Sequence, residues 1–172
     1  MGVDPEEPAS ELARIYREVD RNVLPLLAIH SARIRCRRGC RQCCVDDLTV
    51  FEIEAEHLRR RHAALLLSGD PHPKGACALL DPAGACRIYE DRPYVCRTQG
   101  LPLRWIGELP DGTPVEMRDI CPLNDKGPPV EALPDSECWT IGPTEARLAR
   151  LQANVDGGTL RRVSLRSLFE SS

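Results

Sequence analysis

Apolar residues recur at steps of three and four early in the chain. Leu12, Ile15, Tyr16, Val19, Val23 and Leu26/Leu27 form one stripe and predict an amphipathic helix from Ser10 to about His30. Ser10 is the expected N-cap, with Glu11 in the first turn. Pro25 is expected to kink or divide the helix. Residues 1–9, acidic and carrying two prolines, read as a disordered leader. A second helical stretch runs to about Leu67 and opens on a capping-box-like Thr49-x-x-Glu52. Residues 68–75 then read as a loop by composition.

Beyond that point the apolar runs shorten. Ala78-Leu79-Leu80 and Cys86-Arg87-Ile88-Tyr89 flank Asp81-Pro82-Ala83-Gly84, which predicts a small hairpin. Asp91-Arg92-Pro93 reads as a turn with Pro93 at the first position of a short helix. A second hairpin is expected around Pro110-Asp111-Gly112-Thr113. Residues 121–143 hold five prolines and two glycines and read as irregular chain. A last helix should start at Pro143 and run to about Asn154, with Leu148 and Leu151 inward. The tail from Asp156 is basic, then serine-rich, and reads as loosely held. The sum is a small α+β fold, rich in helix, whose helices flank a loop-rich centre with one or two short hairpins. One domain over residues 10–155 is expected at this length.

Composition changes the picture at that centre. The 172-residue chain has only seven aromatics but nine cysteines. A dense aromatic core is therefore not expected, and something besides apolar packing should hold the middle together. No run of about eighteen apolar residues exists, so no membrane span is expected. The acidic N-terminus lacks a secretory signal pattern, so the expected compartment is the cytoplasm. There, nine thiols are poor candidates for disulfide staples, and the odd number argues against complete pairing. The formal net charge of −3 argues against nucleic-acid and acidic-lipid partners. That figure counts thiols as neutral; eight bound thiolates would add about eight negative charges before any metal is counted.

The segment 31–44, SARIRCRRGCRQCC, carries Cys36, Cys40, Cys43 and Cys44 among five arginines. If it is helical, the four lie at about 0°, 40°, −20° and 80°, on one face. If Gly39 breaks the helix, they still converge as a knuckle. Four cysteines within nine residues, flanked by charge, do not fit the ordinary buried thiol and point to metal ligation. Adjacent side chains diverge, so Cys43 and Cys44 are strained as ligands of one tetrahedral ion. The simpler arrangement gives one to a first centre and the other to a second centre or a different iron of a cluster. Cys77, Cys86, Cys96, Cys121 and Cys138 follow. Eight of the nine would fill two four-thiolate sites. Arg33, Arg35, Arg37, Arg38 and Arg41 beside the first set, and Arg87, Arg92 and Arg97 beside the second, would answer thiolate charge. The spacing C-x3-C-x2-C also resembles that of radical S-adenosylmethionine enzymes, but the chain shows no succession of strand–helix units and is short for those barrels. His30, His57, His62 and His72 are expected at the surface.

Residues 36–44 (CRRGCRQCC), 76–103 (ACALLDPAGACRIYEDRPYVCRTQGLPL) and 120–124 (ICPLN) resemble the bacterial cysteine-cluster family with the motif C-x-x-C-x-x-C-C, described as a putative zinc- or iron-chelating domain. The likeness runs from about Ser31 to Asn124 and is strongest over Cys86–Arg97, CRIYEDRPxxCR. The spacing Cys36-x3-Cys40 departs from the family's two-residue gap. The resemblance implies Cys36, Cys40, Cys43, Cys44, Cys77, Cys86, Cys96 and Cys121 as ligands, and leaves Cys138 as a packing or accessory thiol. It implies zinc or iron, including a 4Fe–4S cluster, in two sites or one polynuclear site. Flagellin lysine N-methylases resemble the family in their cysteine motif, so an iron–sulfur enzyme or electron carrier is one alternative. A thiol-redox sensor is another. The chain carries no G-x-G-x-x-G after a strand and no P-loop, and no catalytic residue is assigned. The leading expectation is a metal-binding protein with a structural or metal-handling role, the metal ion being its one identified partner.

Overall fold

Helix α1 (Glu6–Ile29) lays its apolar stripe across the rest of the molecule, which is α+β. The computed structural model describes residues 6–37 and 39–169. Leu12, Ile15, Tyr16, Val19, Val23 and Leu26 are all buried, as the three–four spacing requires. The helix starts four residues before Ser10. Ser10 lies inside it and its hydroxyl donates to the Glu7 carbonyl (3.0 Å) instead of capping. Residues 6–9 are thus helical rather than a disordered leader, while residues 1–5 lie outside the described chain. Pro25 sits within the element without dividing it.

The second helical stretch starts and breaks differently from expectation. Thr49–Phe51 form strand β1, so Thr49 does not cap. Helix α2 (Glu52–Arg61) ends at His62, and α3 (Ala63–Ser68) continues beyond it. The start of α2 is satisfied by groups remote in sequence. Glu54 accepts from the Phe51 amide (3.3 Å), Gln152 Oε1 accepts from the Ile53 amide (2.8 Å), and the Arg161 carbonyl accepts from the Glu52 amide (3.0 Å). These are the orphan donors that any helix N-terminus must place.

Strand β2 (Leu103–Glu108) and β3 (Pro114–Asp119) form the expected hairpin, with Leu103 opposite Asp119 and Glu108 opposite Pro114. Its turn closes by Leu109 and Thr113 and uses Gly112 at φ 83°, where a side chain would be strained. Within the irregular stretch, β4 (Trp139–Thr140) adds parallel to β2. The earlier hairpin is reduced to one antiparallel bridge, Leu80 to Cys86, around the Asp81–Ala85 turn. Pro93 caps rather than begins the short α4 (Tyr94–Arg97). Helix α5 (Pro143–Asp156) begins on its proline and ends at Gly157 in the left-handed region. Leu148 is fully buried, and Leu151 packs against the same core.

The tail is docked over its described part. Strand β5 (Arg162–Ser164) pairs antiparallel with β1, and Leu165 and Leu168 are buried. Composition alone missed these anchors, which are two leucines among serines and arginines. One apolar cluster joins α1 to Phe51, Tyr94, Leu101, Trp139 and Leu148. A second joins Val50, Leu58 and Leu66 to Cys77, Leu79, Ile88 and the tail leucines. A third is small: Ile120, Val130, Leu133 and Cys138.

Glu54, only 3% exposed, connects α1, α2 and α4: it accepts from the Tyr16 hydroxyl (2.9 Å) and the Tyr94 amide (2.9 Å) as well as from Phe51. Burial pushes its carboxyl above the ordinary range, and the three donors oppose that shift. Replacing it by alanine leaves buried donors without acceptors. Glu54→Ala is expected to lower the unfolding free energy by about 2–4 kcal/mol, read by urea denaturation; a loss below about 0.5 kcal/mol would contradict this role.

Candidate metal centre

The first cysteine segment is not helical. After α1 the chain makes a turn at His30–Ile34, then two more in which the Cys40 amide bonds the Arg37 carbonyl (2.9 Å) and the Cys44 amide bonds that of Arg41 (3.0 Å). Gly39, at φ 83°, stands in the first of these two. The segment therefore turns at Gly39 instead of forming the one-faced helix. Cys36 is exposed as a residue, yet its sulfur is tucked against a glycine. A Cβ on Gly100, itself at φ 91°, would fall 2.5 Å from the Cys36 Sγ. Asn124, fully buried, donates through Nδ2 to that sulfur (3.4 Å) and to the Gly100 carbonyl (2.7 Å). Its Oδ1 accepts from the Arg35 amide (2.7 Å) and its own amide donates to the Cys121 carbonyl (2.7 Å). One asparagine thus ties the Cys36 strand of chain to the Cys121 turn.

A second set of contacts links Cys44 to the segment that carries Cys77 and Cys86. The Cys77 amide donates to the Cys44 carbonyl (2.9 Å), joining segments 33 positions apart. Cys77 is buried in the second apolar cluster, and Cys44 and Cys86 pack against it. The Leu80–Cys86 bridge and the bond from the Leu80 amide to the Cys77 carbonyl (3.1 Å) fold Cys77 and Cys86 onto one turn. Cys96 comes from α4, whose N-terminus Glu54 holds. Arg87 and Arg97 brace this turn through carbonyls: Arg87 bonds Ala78 (2.8 Å) and Arg97 bonds Glu90 (3.1 Å). Arg97 also pairs with Asp20 (2.6 Å) and lies over the Tyr16 ring.

The electrostatics separate the adjacent cysteines. The Cys44 thiol donates to Cys43, which lowers the Cys43 thiol to about 6, with Arg92 adding to the effect; the same bond raises Cys44. Burial is the main cause of the raised thiols of Cys77, Cys86 and Cys96. It also raises Cys36, against the Asn124 hydrogen bond. Arg92 stacks on Tyr89 (4.0 Å to the ring centroid), and its charge lowers the Cys43 and Cys86 thiols. Its buried Nε has no hydrogen-bond partner. A cation held among thiols with a donor to spare suits a site that gathers negative charge. Arg33 serves elsewhere: it bonds the carbonyls of Lys126 (3.2 Å) and Pro128 (2.7 Å). Arg38 lies outside the described residues.

Histidines take no part in the thiol groups. His30 is buried, not exposed, and its Nε2 lies 2.7 Å from the Glu137 carbonyl. His57 and His62 are half-buried and both approach Asp91, at 3.8 and 3.0 Å. Cys138 stands apart from the other eight, buried in the third apolar cluster with Arg118 Nη1 at 3.8 Å. Sequence reasoning missed Asn124, Gly100 and Glu54. Asn124 was within sight as the last residue of ICPLN, three positions after Cys121; Glu54 was masked by assigning the helix cap two residues too early.

All nine cysteines are free thiols. Among the described residues no three Cys, His, Asp or Glu side chains stand at metal-holding positions. The free thiols are soft donors that suit zinc or iron by their chemistry, and the Arg92 charge acts on two of them. The chain matches the CxxCxxCC family, described as "Putative zinc- or iron-chelating domain", over residues 35–121, and it belongs to that family. Cys36 to Cys121 fall inside the matched span, and Cys138 falls outside it. No curated protein and no solved structure matches the chain. No described helix is long and apolar enough to cross a membrane.

In the metal-free protein the low Cys43 value means that its thiolate is present at pH 7 and is lost as the pH falls through about 6. Peptide-mapped alkylation at pH 7 should label Cys43 ahead of Cys77, Cys86 and Cys96. Cys44→Ala should raise the Cys43 midpoint by about one pH unit or more, because the thiol donor is gone. Equal labelling of Cys43 and Cys96 would contradict the pairing.

Proposed function

We propose that this protein is a cytoplasmic metal-binding module for zinc or iron, with Cys36, Cys40, Cys43, Cys44, Cys77, Cys86, Cys96 and Cys121 as ligands and a structural or metal-handling role. The observation that carries the reading is a set of bonds that link three separated cysteine-bearing segments, 36–44, 77–96 and 121: the Cys77 amide to the Cys44 carbonyl, and Asn124 to the Cys36 sulfur and the Cys121 carbonyl. Family membership supports the choice of metals. The single Arg92 guanidinium beside Cys43 and Cys86 supports an anionic centre.

When bound, the metal cross-links the segments, so binding and folding of the middle become one equilibrium. The chain's own part is to gather the thiols and give up their protons. Burial keeps Cys77, Cys86 and Cys96 protonated in the free protein. Binding therefore releases protons and strengthens as the pH rises.

Anaerobic purification with elemental analysis separates the metals: brown protein with broad visible absorbance marks an iron–sulfur centre, and colourless protein with stoichiometric zinc marks a zinc module. Cys40→Ser or Cys96→Ser is expected to lower bound metal and to reduce Tm by about 5–10 °C. Unchanged metal content and Tm in both variants would refute the ligand set.

A further inference from the structure

We propose that the gap enclosed by α1, α2 and α5 is a binding site for a small, uncharged, apolar molecule with a body of one ring or two fused rings. The cavity measures about 200 Å³, and no cysteine lines it, so this reading stands apart from the metal proposal. Leu12 and Ile53, both buried, form its depth. Ala9 in the first turn of α1 and Val155 near the end of α5 continue the apolar wall, and both are partly or well exposed, which leaves the gap open to solvent. The bond from the Ile53 amide to Gln152 Oε1 (2.8 Å) fixes α2 to α5 beside it. Opposite, α1 presents only the short side chains of Pro8 and Ala9 above Leu12, so nothing fills the space between the three helices. Pockets between packed helices are a common place for small ligands.

The chemistry of the occupant follows from how the polar groups of the wall are already used. Gln152 commits both ends of its amide, Oε1 to Ile53 and Nε2 to Asp156 (2.8 Å). Glu52 is met by Arg59 (2.5 Å), and its second oxygen, though without a hydrogen bond, has Arg161 at 3.3 Å as counter-charge. Glu56 is paired with Arg60 (2.8 Å). Burial holds His57 below its ordinary range, so its ring is uncharged at pH 7. The charges around the gap therefore cancel in neighbouring pairs, and neither an amine nor a carboxylate finds an unspent counter-charge. Water is a poor occupant as well, because it needs about two to four polar partners, whereas an apolar cavity of about 150 Å³ stays dry and accepts an aromatic ring. The volume here admits one ring with room for a second.

The test is a titration of the full-length protein with indole, followed by methyl NMR. Saturable shifts are expected at the methyls of Ala9, Leu12, Ile53 and Val155, with a Kd of about 1 mM or tighter. Benzoate and benzylamine, which are ring-sized but charged, should bind at least about tenfold more weakly. Ala9→Phe and Val155→Phe each place a ring in the gap from a helix position that is not buried, and each should weaken indole by at least about tenfold without lowering Tm. Should one variant lose its fold, the other carries the comparison. Absence of saturation well above that Kd, shifts that spare the four wall residues, tighter binding of either charged ring, or unchanged affinity in the folded variants would each overturn the proposal. A chain lacking residues 1–5 that binds indole about tenfold more tightly would identify the chain's own N-terminus as the occupant and would overturn it too. None of these outcomes bears on metal content, so failure here leaves the metal reading to its own test.

Discussion

The buried carboxylate of Glu54 is the interaction on which the arrangement depends. A carboxyl group removed from water costs several kcal/mol unless its oxygens are bonded. Here three donors supply those bonds, and they come from three elements: Tyr16 on α1, Phe51 at the start of α2, and Tyr94 at the start of α4. Satisfying one side chain therefore fixes the two longer helices against the short one. Tyr94 in turn accepts from the Trp139 indole (3.0 Å), which carries the constraint to β4 and the hairpin sheet. Since α4 also bears Cys96, the polar network that orders the helices also positions a thiol.

A second constraint comes from the N-terminus of α2. Its first amides are met by Gln152 from α5 and by the Arg161 carbonyl from the tail. Both partners lie about a hundred residues further along the chain. This explains why the tail is docked through β5 despite its polar composition. The helix needs acceptors there, and Leu165 and Leu168 add apolar contact beside Cys77 and Ile88. The tail thereby shares an apolar cluster with Cys77, against which Cys44 and Cys86 pack.

Single directed bonds add to apolar packing in holding the cysteine-bearing segments. Asn124 satisfies both ends of its amide between Arg35, Gly100 and Cys36. Arg166 gathers the carbonyls of His72 (2.9 Å) and Ala76 (3.0 Å) and pairs with Asp46, so the chain on either side of the cysteine segments is pinned from the tail. Such bonds hold the backbone around Cys36, Cys44, Cys77 and Cys121 through single polar contacts.

The sequence by itself determined the elements with strong periodicity and the family to which the chain belongs. The α1 stripe, the Pro143 start of α5 and the 103–119 hairpin follow from local patterns, because spacing and turn residues act over a few positions. The family's cysteine motif was legible as well, since spacing within a segment is local. Tertiary structure decided the rest. Glu54 rather than Glu52 became the capping acid because Tyr16 and Tyr94 converge on it. His30 became buried because the Glu137 carbonyl meets it. The tail docked because α2 lacked acceptors. The Cys44 carbonyl meets the Cys77 amide, and the Cys36 sulfur meets Asn124; those are contacts between segments tens of residues apart, and no local pattern encodes them.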